Sequence, residues 1–172
     1  MKSHGLIVVC LLALSAAAYS QVPKDQTAAL SDLSRMFYED RTSPTFGHQL
    51  LDARKLDYSV DSLKHVDEYL EKIRKDKEVE KTWNRVVLRA GAYVGEVIRR
   101  NDKKTKWQWI DFDAAKSINP KFFSQVGKSI AVAMVLHDGK DGFTFPLAKV
   151  EKYLENGSED SVYSFARVIL AK

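Results

Sequence analysis

Residues 79–98 read VEKTWNRVVLRAGAYVGEVI and carry the longest periodic pattern of the chain. The apolar positions recur every three or four residues, at Val79, Trp83, Val86, Val87, Ala90, Val94, Val97 and Ile98. This spacing predicts an amphipathic helix with one continuous apolar face. Because no other segment has so long a face, we expect this helix to form the centre of the core.

Two glycines, Gly91 and Gly95, interrupt this predicted helix. A glycine inside a helix costs about 1 kcal/mol relative to alanine. Their position beside the apolar face indicates that another element approaches the helix backbone closely. The sequence therefore predicts a tight packing contact at both glycines.

The opposite side of the same helix carries Arg89, Tyr93, Glu96 and Arg100. Glu96 and Arg100 are four residues apart, in the order that favours an ion pair on an exposed helix surface. We therefore expect Glu96 to have a structural role at the surface. The alternative is a catalytic role, because a positioned carboxylate with a shifted pKa is what a general base requires.

Working outward in both directions, amphipathic periodicity predicts four more helices, at residues 28–38, 60–74, 146–156 and 159–169. Ser59 and Ser158 are the expected N-caps of the second and last of these. Apolar runs predict three strands, at 106–112, 129–136 and 143–145. Helices at both ends with strands between them predict an α+β fold, in which a small antiparallel sheet of about three strands packs against about five helices.

The first predicted strand has apolar bulk on both faces. Alternation places Trp107 and Trp109 on one face, and Ile110 and Phe112 on the other. Such a strand is either covered on both sides by the protein itself or left open on one side to a partner. The second possibility predicts a binding surface formed by Trp107, Trp109, Tyr93, Glu96 and Arg100.

The first twenty residues have the pattern of a signal peptide. Lys2 precedes an apolar run at 6–14, and Ala18 and Ser20 place small residues before a cleavage site. The apolar run is shorter than the roughly 20 residues of a membrane-spanning helix. We therefore expect cleavage near Ser20, a single domain over residues 21–172, and a periplasmic or secreted protein without a transmembrane anchor.

The cysteine content and the charge of the chain exclude further classes of protein. The only cysteine, Cys10, lies in the leader, so the mature chain has no disulfide. Without Lys2, 26 basic and 23 acidic residues give a net charge of +3, and the two signs are interspersed along the chain. Nucleic acid is therefore not an expected partner. The densest basic stretch, Lys103, Lys104 and Lys106, is interpreted as a solvated turn.

No motif for catalysis or metal binding stands out. The histidines of the mature chain, His48, His65 and His137, lack the paired spacing of zinc ligands, and no nucleophile elbow or phosphate loop is found. The turn that contains Asp138 and Asp141 lacks the ligand spacing of a calcium loop. We expect neither a metal nor a cofactor.

Four stretches together resemble a family of uncharacterised bacterial exported proteins. They are GAYVGEVI at 91–98, Trp107-x-Trp109, FPLAKV at 145–150 and LENGSEDS at 154–161. The resemblance extends from residue 58 to the C-terminus. It implies a small bacterial domain without an assigned reaction, located with this leader in the Gram-negative periplasm. Proteins of this kind often resemble immunity or accessory proteins of secretion-system gene clusters.

These observations predict a non-catalytic periplasmic binding protein, of the immunity or inhibitor type, that acts on an exported toxin or hydrolase. Two alternatives remain open: an envelope enzyme that uses Glu96, and an envelope assembly or accessory factor. The expected partner is a protein, either the exported toxin or an envelope component. The sequence leaves the oligomeric state open.

The leader generates the first prediction. Expression in a Gram-negative host should yield an exported form that begins at Gln21, because signal peptidase cleaves after the small residue Ser20. Intact-mass measurement of the periplasmic protein checks this, with or without cyclisation of the N-terminal glutamine. A mature protein that still contains Cys10 would contradict it.

Overall fold

The computed structural model describes residues 24–171. The predicted signal peptide and its cleavage site lie outside the described residues. Among residues 24–171, no helix combines the length and the apolar character needed to cross a membrane.

The described residues form an α+β fold, as predicted. The α-helices are α1 Thr27–Glu39, α2 Ser62–Ile73, α3 Trp83–Asn101, α4 Phe112–Ile118, α5 Pro120–Phe123, α6 Pro146–Asn156 and α7 Val162–Leu170. The strands are β1 Gln108–Asp111, β2 Met134–His137 and β3 Phe143–Thr144. They form one antiparallel sheet in the order β1-β2-β3, and Trp109 is aligned with Leu136.

The predicted central helix is α3. Its residues from Val86 onward are buried as far as Ile98, with only Leu88 partly exposed. The helix α1 packs along one side of it and α6 along another. The apolar periodicity is confirmed, but α3 begins at Trp83, because residues 77–82 form a 3-10 turn that Asp76 caps through the backbone N–H of Glu78.

The side of α3 that was expected to face solvent is also covered. Arg89, Tyr93 and Glu96 are all buried. Arg89 is compensated by an ion pair of 2.8 Å with Asp40 and by donation to the Ser43 carbonyl at 2.8 Å. The expectation of a solvated face is therefore wrong, because polar side chains can be buried when partners from neighbouring elements satisfy them.

Both glycine contacts predicted on α3 are confirmed. A Cβ added at Gly91 would lie 2.7 Å from the Cα of Leu147 in α6. A Cβ added at Gly95 would overlap the Trp109 indole, lying 2.5 Å from its Cη2 atom. Glycine is therefore required where α6 and β1 cross the central helix.

The strand β1 is covered on both faces by the protein itself. Trp109 packs into the main core with α3, while Ile110 packs into a second cluster with Phe112 and Phe123. The helices α4 and α5, which supply this second cluster, were not predicted. Asp111 ends the strand and caps α4 through the Ala114 N–H, so Phe112 begins a helix and does not continue the strand.

The remaining differences between the predicted and the observed fold concern the ends of helices and strands. The predicted strand 129–136 is a 3-10 turn at 130–132 followed by β2. The helix α2 begins at Ser62, and Ser59 accepts from the Ser62 N–H. The last helix begins at Val162 with Ser161 as its N-cap, because Ser158–Asp160 form a 3-10 turn.

The packing at Gly95 generates a stability prediction. Gly95→Ala should destabilise the protein by about 1–3 kcal/mol, because the added methyl meets the fully buried Trp109 ring. Without that contact, the same change in a helix would stabilise by about 1 kcal/mol.

Urea unfolding of Gly95→Ala checks this prediction. Gly127→Ala is the matched control, because a Cβ at Gly127 would meet nothing within 4 Å. An unfolding midpoint raised by Gly95→Ala would show that the crossing is looser than described.

Candidate functional site

Glu96 lies at the centre of the predicted site and is completely buried. Its Oε1 accepts hydrogen bonds from Arg99 Nε at 2.8 Å and from Trp109 Nε1 at 3.1 Å. Its Oε2 accepts from Arg99 Nη2 at 3.0 Å and from Arg100 Nε at 3.1 Å. The predicted pairing with Arg100 is confirmed, but the expected exposure of Glu96 is wrong because Trp109 of β1 covers it.

These contacts determine the charge state of Glu96. Burial by itself would raise the pKa of the carboxyl, but Arg99, Trp109 and Arg100 outweigh burial and hold the pKa below its usual range. Glu96 is therefore a carboxylate at neutral pH. Each of its oxygens already accepts two hydrogen bonds, so it is not poised to take a proton from a substrate.

The Tyr93 hydroxyl, like the Glu96 carboxylate, is buried and bonded to groups of the protein itself. Its hydroxyl lies 2.8 Å from Ser62 Oγ and accepts from the backbone N–H of Tyr58 at 3.1 Å. Tyr58 has a positive φ of 62°, and its ring stacks on Tyr93 with the ring centroids 4.8 Å apart. Burial raises the pKa of Tyr93 to about 12. Tyr93 thus holds the segment before α2 in an uncommon backbone conformation.

Arg100 connects these two groups. Its guanidinium lies over the Tyr58 ring, 3.6 Å from the centroid, while its Nε donates to Glu96. Glu96, Arg100, Tyr58 and Tyr93 therefore form one continuous network. Of the five predicted site residues, the structure joins Glu96, Arg100 and Trp109 directly and Tyr93 through Tyr58.

Trp107 lies outside this network. Its side chain is partly exposed, and its Nε1 donates to Asp102 Oδ2 at 2.9 Å. It lines a solvent-open cavity of about 530 Å³ between the start of β1, the β2–β3 hairpin and the C-terminal half of α7. We call this cavity the Trp107 groove; its apolar walls include Trp107, Phe143, Phe145, Phe165, Val168 and Ile169.

The α7 wall of the groove was missed by sequence reasoning. The apolar periodicity of the last predicted helix places Phe165 and Ile169 on the face that should be buried, yet both are partly exposed at the groove. Val168 falls off that face and leaves 63% of its surface exposed. An apolar residue outside the helix's apolar stripe was the available signal.

The turn that contains Asp138 is stabilised by its own backbone. Asp138 Oδ1 accepts from the N–H groups of Lys140 and Gly142, at 2.7 and 3.0 Å. His137 lies 2.9 Å from the Lys140 carbonyl through Nε2 and accepts from Gly139 N–H through Nδ1. Within residues 24–171, no group of three or more His, Cys, Asp or Glu side chains is arranged to hold a metal ion.

Comparison with protein families, with curated proteins and with solved structures gave no match to this chain. The two candidate sites, the Glu96 network and the Trp107 groove, are therefore interpreted from their own chemistry.

The Glu96 network generates a prediction for stability and its pH dependence. Glu96→Gln should destabilise the protein by about 2–3 kcal/mol near neutral pH, because an amide cannot accept all four bonds and offers its own N–H groups to arginines. In the unsubstituted protein, the contribution of Glu96 is present above the usual glutamate pKa. It is lost as the pH falls through the lower pKa of the folded state.

Urea unfolding at about pH 7 and about pH 3 checks this sign, because the two proteins should differ most at the higher pH. Asp113→Asn serves as the control, since the Asp113–Lys128 pair is well exposed and is expected to contribute little. A stability difference that grew as the pH fell would contradict the assigned charge state.

Proposed function

We propose that this chain is an exported, non-catalytic binding protein of the immunity or inhibitor type, and that it contacts a partner protein through the Trp107 groove. The leader and the resemblance to bacterial exported proteins support a periplasmic location and membership of that family. The partner class that follows is an exported toxin or hydrolase.

One observation carries this proposal: the groove exposes apolar walls that no described element covers. Val168 is the most exposed large apolar side chain of the described residues, and it lies at the groove. Trp107 contributes an aromatic side chain whose Nε1 is already bonded to Asp102. Partly exposed aromatic and aliphatic anchors that line a cavity are typical of protein-binding sites.

The same geometry changes the predicted binding surface. Tyr93, Glu96 and Trp109 are interior residues and cannot touch a partner unless the core opens. Trp107 and Arg100 are the predicted site residues that remain accessible. The proposal therefore retains Trp107 as the anchor and moves the rest of the surface to α7 and the hairpin.

The alternative of an envelope enzyme that uses Glu96 has little support. A general base needs a free lone pair directed at substrate, whereas both oxygens of Glu96 are occupied by Arg99, Arg100 and Trp109. An envelope assembly factor would use the same groove. The identity of the bound partner separates it from an immunity protein.

The experiment compares Val168→Asp with Leu50→Asp in affinity capture from envelope extract of the source cell. Both side chains are exposed, and only Val168 lies at the Trp107 groove. A carboxylate on the groove wall should weaken capture by about 2 kcal/mol or more, roughly thirtyfold in Kd, because it would be buried against apolar side chains.

Leu50→Asp should capture the partner as well as the unsubstituted protein does, and both variants should keep their unfolding midpoints. If Val168→Asp captures the same partner undiminished, the groove is not the binding site. If the unsubstituted protein captures nothing above background, the binding function itself is overturned.

A further inference from the structure

We infer that the predicted leader, while it is still attached, occupies the Trp107 groove, with its apolar run at residues 6–14 against the groove walls. Cleavage near Ser20 then uncovers the groove. The consequence for partner binding rests on the proposed function, because the leader and the partner use the same surface.

The described chain begins beside the groove. Gln26 N–H donates to the Trp109 carbonyl at 2.8 Å, and Thr27 Oγ1 accepts from the Trp109 N–H at 3.2 Å, so this segment lies at the outer edge of β1. Asp25 and Thr27 line a smaller cavity of about 360 Å³, which shares Trp107 and two residues of the preceding turn with the groove. The leader is therefore attached at the margin of the groove.

The leader is long enough to reach the groove walls. Asp25 is eleven residues from Leu14, the last residue of the apolar run. An extended chain spans about 3.3 Å per residue, so this connection reaches up to about 36 Å. The groove, a cavity of about 530 Å³ with Trp107 in its wall, lies within that reach. Attachment also makes the encounter intramolecular, at an effective concentration in the roughly millimolar range of short tethers.

The leader and the groove match in apolar character. Residues 3–23 contain no Asp, Glu, Lys or Arg, and no other part of the chain has so long an uncharged run. Seven of the thirteen residues that line the groove are aromatic or aliphatic, whereas Asp102, Lys104 and Asp138 are its charged residues. Apolar contact, and not charge, therefore selects the occupant. Docking removes the apolar run and the groove walls from water together.

Cleavage ends the docking because it removes the tether. A separated leader must bind at its own low concentration and no longer at the effective concentration of an attached segment. The groove of the mature protein is then open, with Val168 exposed on its wall. Partner binding through the groove thus follows cleavage of the leader.

The test uses Cys10, the only cysteine of the chain, which lies within the apolar run. The full chain is made by cell-free translation without membranes, so that signal peptidase is absent and the leader stays attached. Val168→Cys adds a second thiol on the groove wall. Copper-phenanthroline oxidises two thiols that meet to a disulfide, accepting two electrons while two protons pass to water. Intact mass after maleimide capping separates bridged from unbridged chains.

Arg167→Cys is the matched control. Residue 167 is exposed on the same helix and almost equally far from Cys10 along the chain, but it does not line the groove. The bridge from Cys10 should form about tenfold faster to residue 168, because a docked leader holds Cys10 at the groove and a disulfide needs a Cα separation of roughly 4.4–6.8 Å. Circular dichroism checks that each chain is folded.

A substitution in the leader tests whether apolar contact causes the difference. Leu12→Asp places a charge in the apolar run and should slow the bridging of Val168→Cys to the rate of Arg167→Cys. Ser3→Asp adds the same charge outside the run and should leave the rate unchanged.

The remaining outcomes contradict the inference. Equal rates at residues 167 and 168, a rate that Leu12→Asp leaves unchanged, or a full chain that is unfolded while the mature chain folds would show that the leader does not occupy the groove. Bridging between two molecules in place of bridging within one would assign the groove to a second copy. Partner capture by the mature protein, which has no leader, tests the proposed function independently, so the two can fail separately.

Discussion

The contact of the Trp109 indole with Gly95 and Glu96 is the interaction on which the rest of the structure depends. It brings β1 across the central helix at Gly95, where α3 has no side chain to prevent it. The indole N–H then supplies one of the four hydrogen bonds of the buried Glu96 carboxylate. A buried charge is tolerated only when it is paired and hydrogen-bonded, so Gly95, Glu96 and Trp109 constrain one another.

From this crossing, the sheet divides the apolar residues into two clusters. The face that carries Trp109 and Leu136 joins the large core around α3, and the face that carries Ile110 and Val135 is covered by α4 and α5. The outer edge of β1 is occupied as well, because Gln26 N–H donates to the Trp109 carbonyl and Trp109 N–H donates to Thr27. Little of β1 is therefore accessible to a partner, and the accessible apolar surface lies at Trp107, which precedes the strand, and in the groove beside α7.

The parts of the fold that could be predicted are those with strong local signals. The helices α3 and α6 follow from long apolar periodicity, from Pro146 at a helix start and from Gly157 at a helix end. The short helices α4 and α5 have too few residues to show a period, and their apolar residues read equally well as strand or loop. Within the site, the pairing of Glu96 with Arg100 followed from their spacing, and Arg99, three residues after Glu96, carried the same local signal but was not predicted as a partner. The contact from Trp109 had no local signal, because it comes from another element.

The sequence by itself determined the α+β class, the central helix, the close packing at both glycines and the pairing of Glu96 with Arg100, because each depends on residues near one another along the chain. Only the tertiary structure decided which polar residues are buried, that both faces of β1 are covered, and that Trp107, Phe165 and Val168 line one groove. The physical reason is that exposure is a property of the assembled elements. Periodicity shows which residues share a face of a helix or strand. It does not show how many faces of that element are packed against other elements.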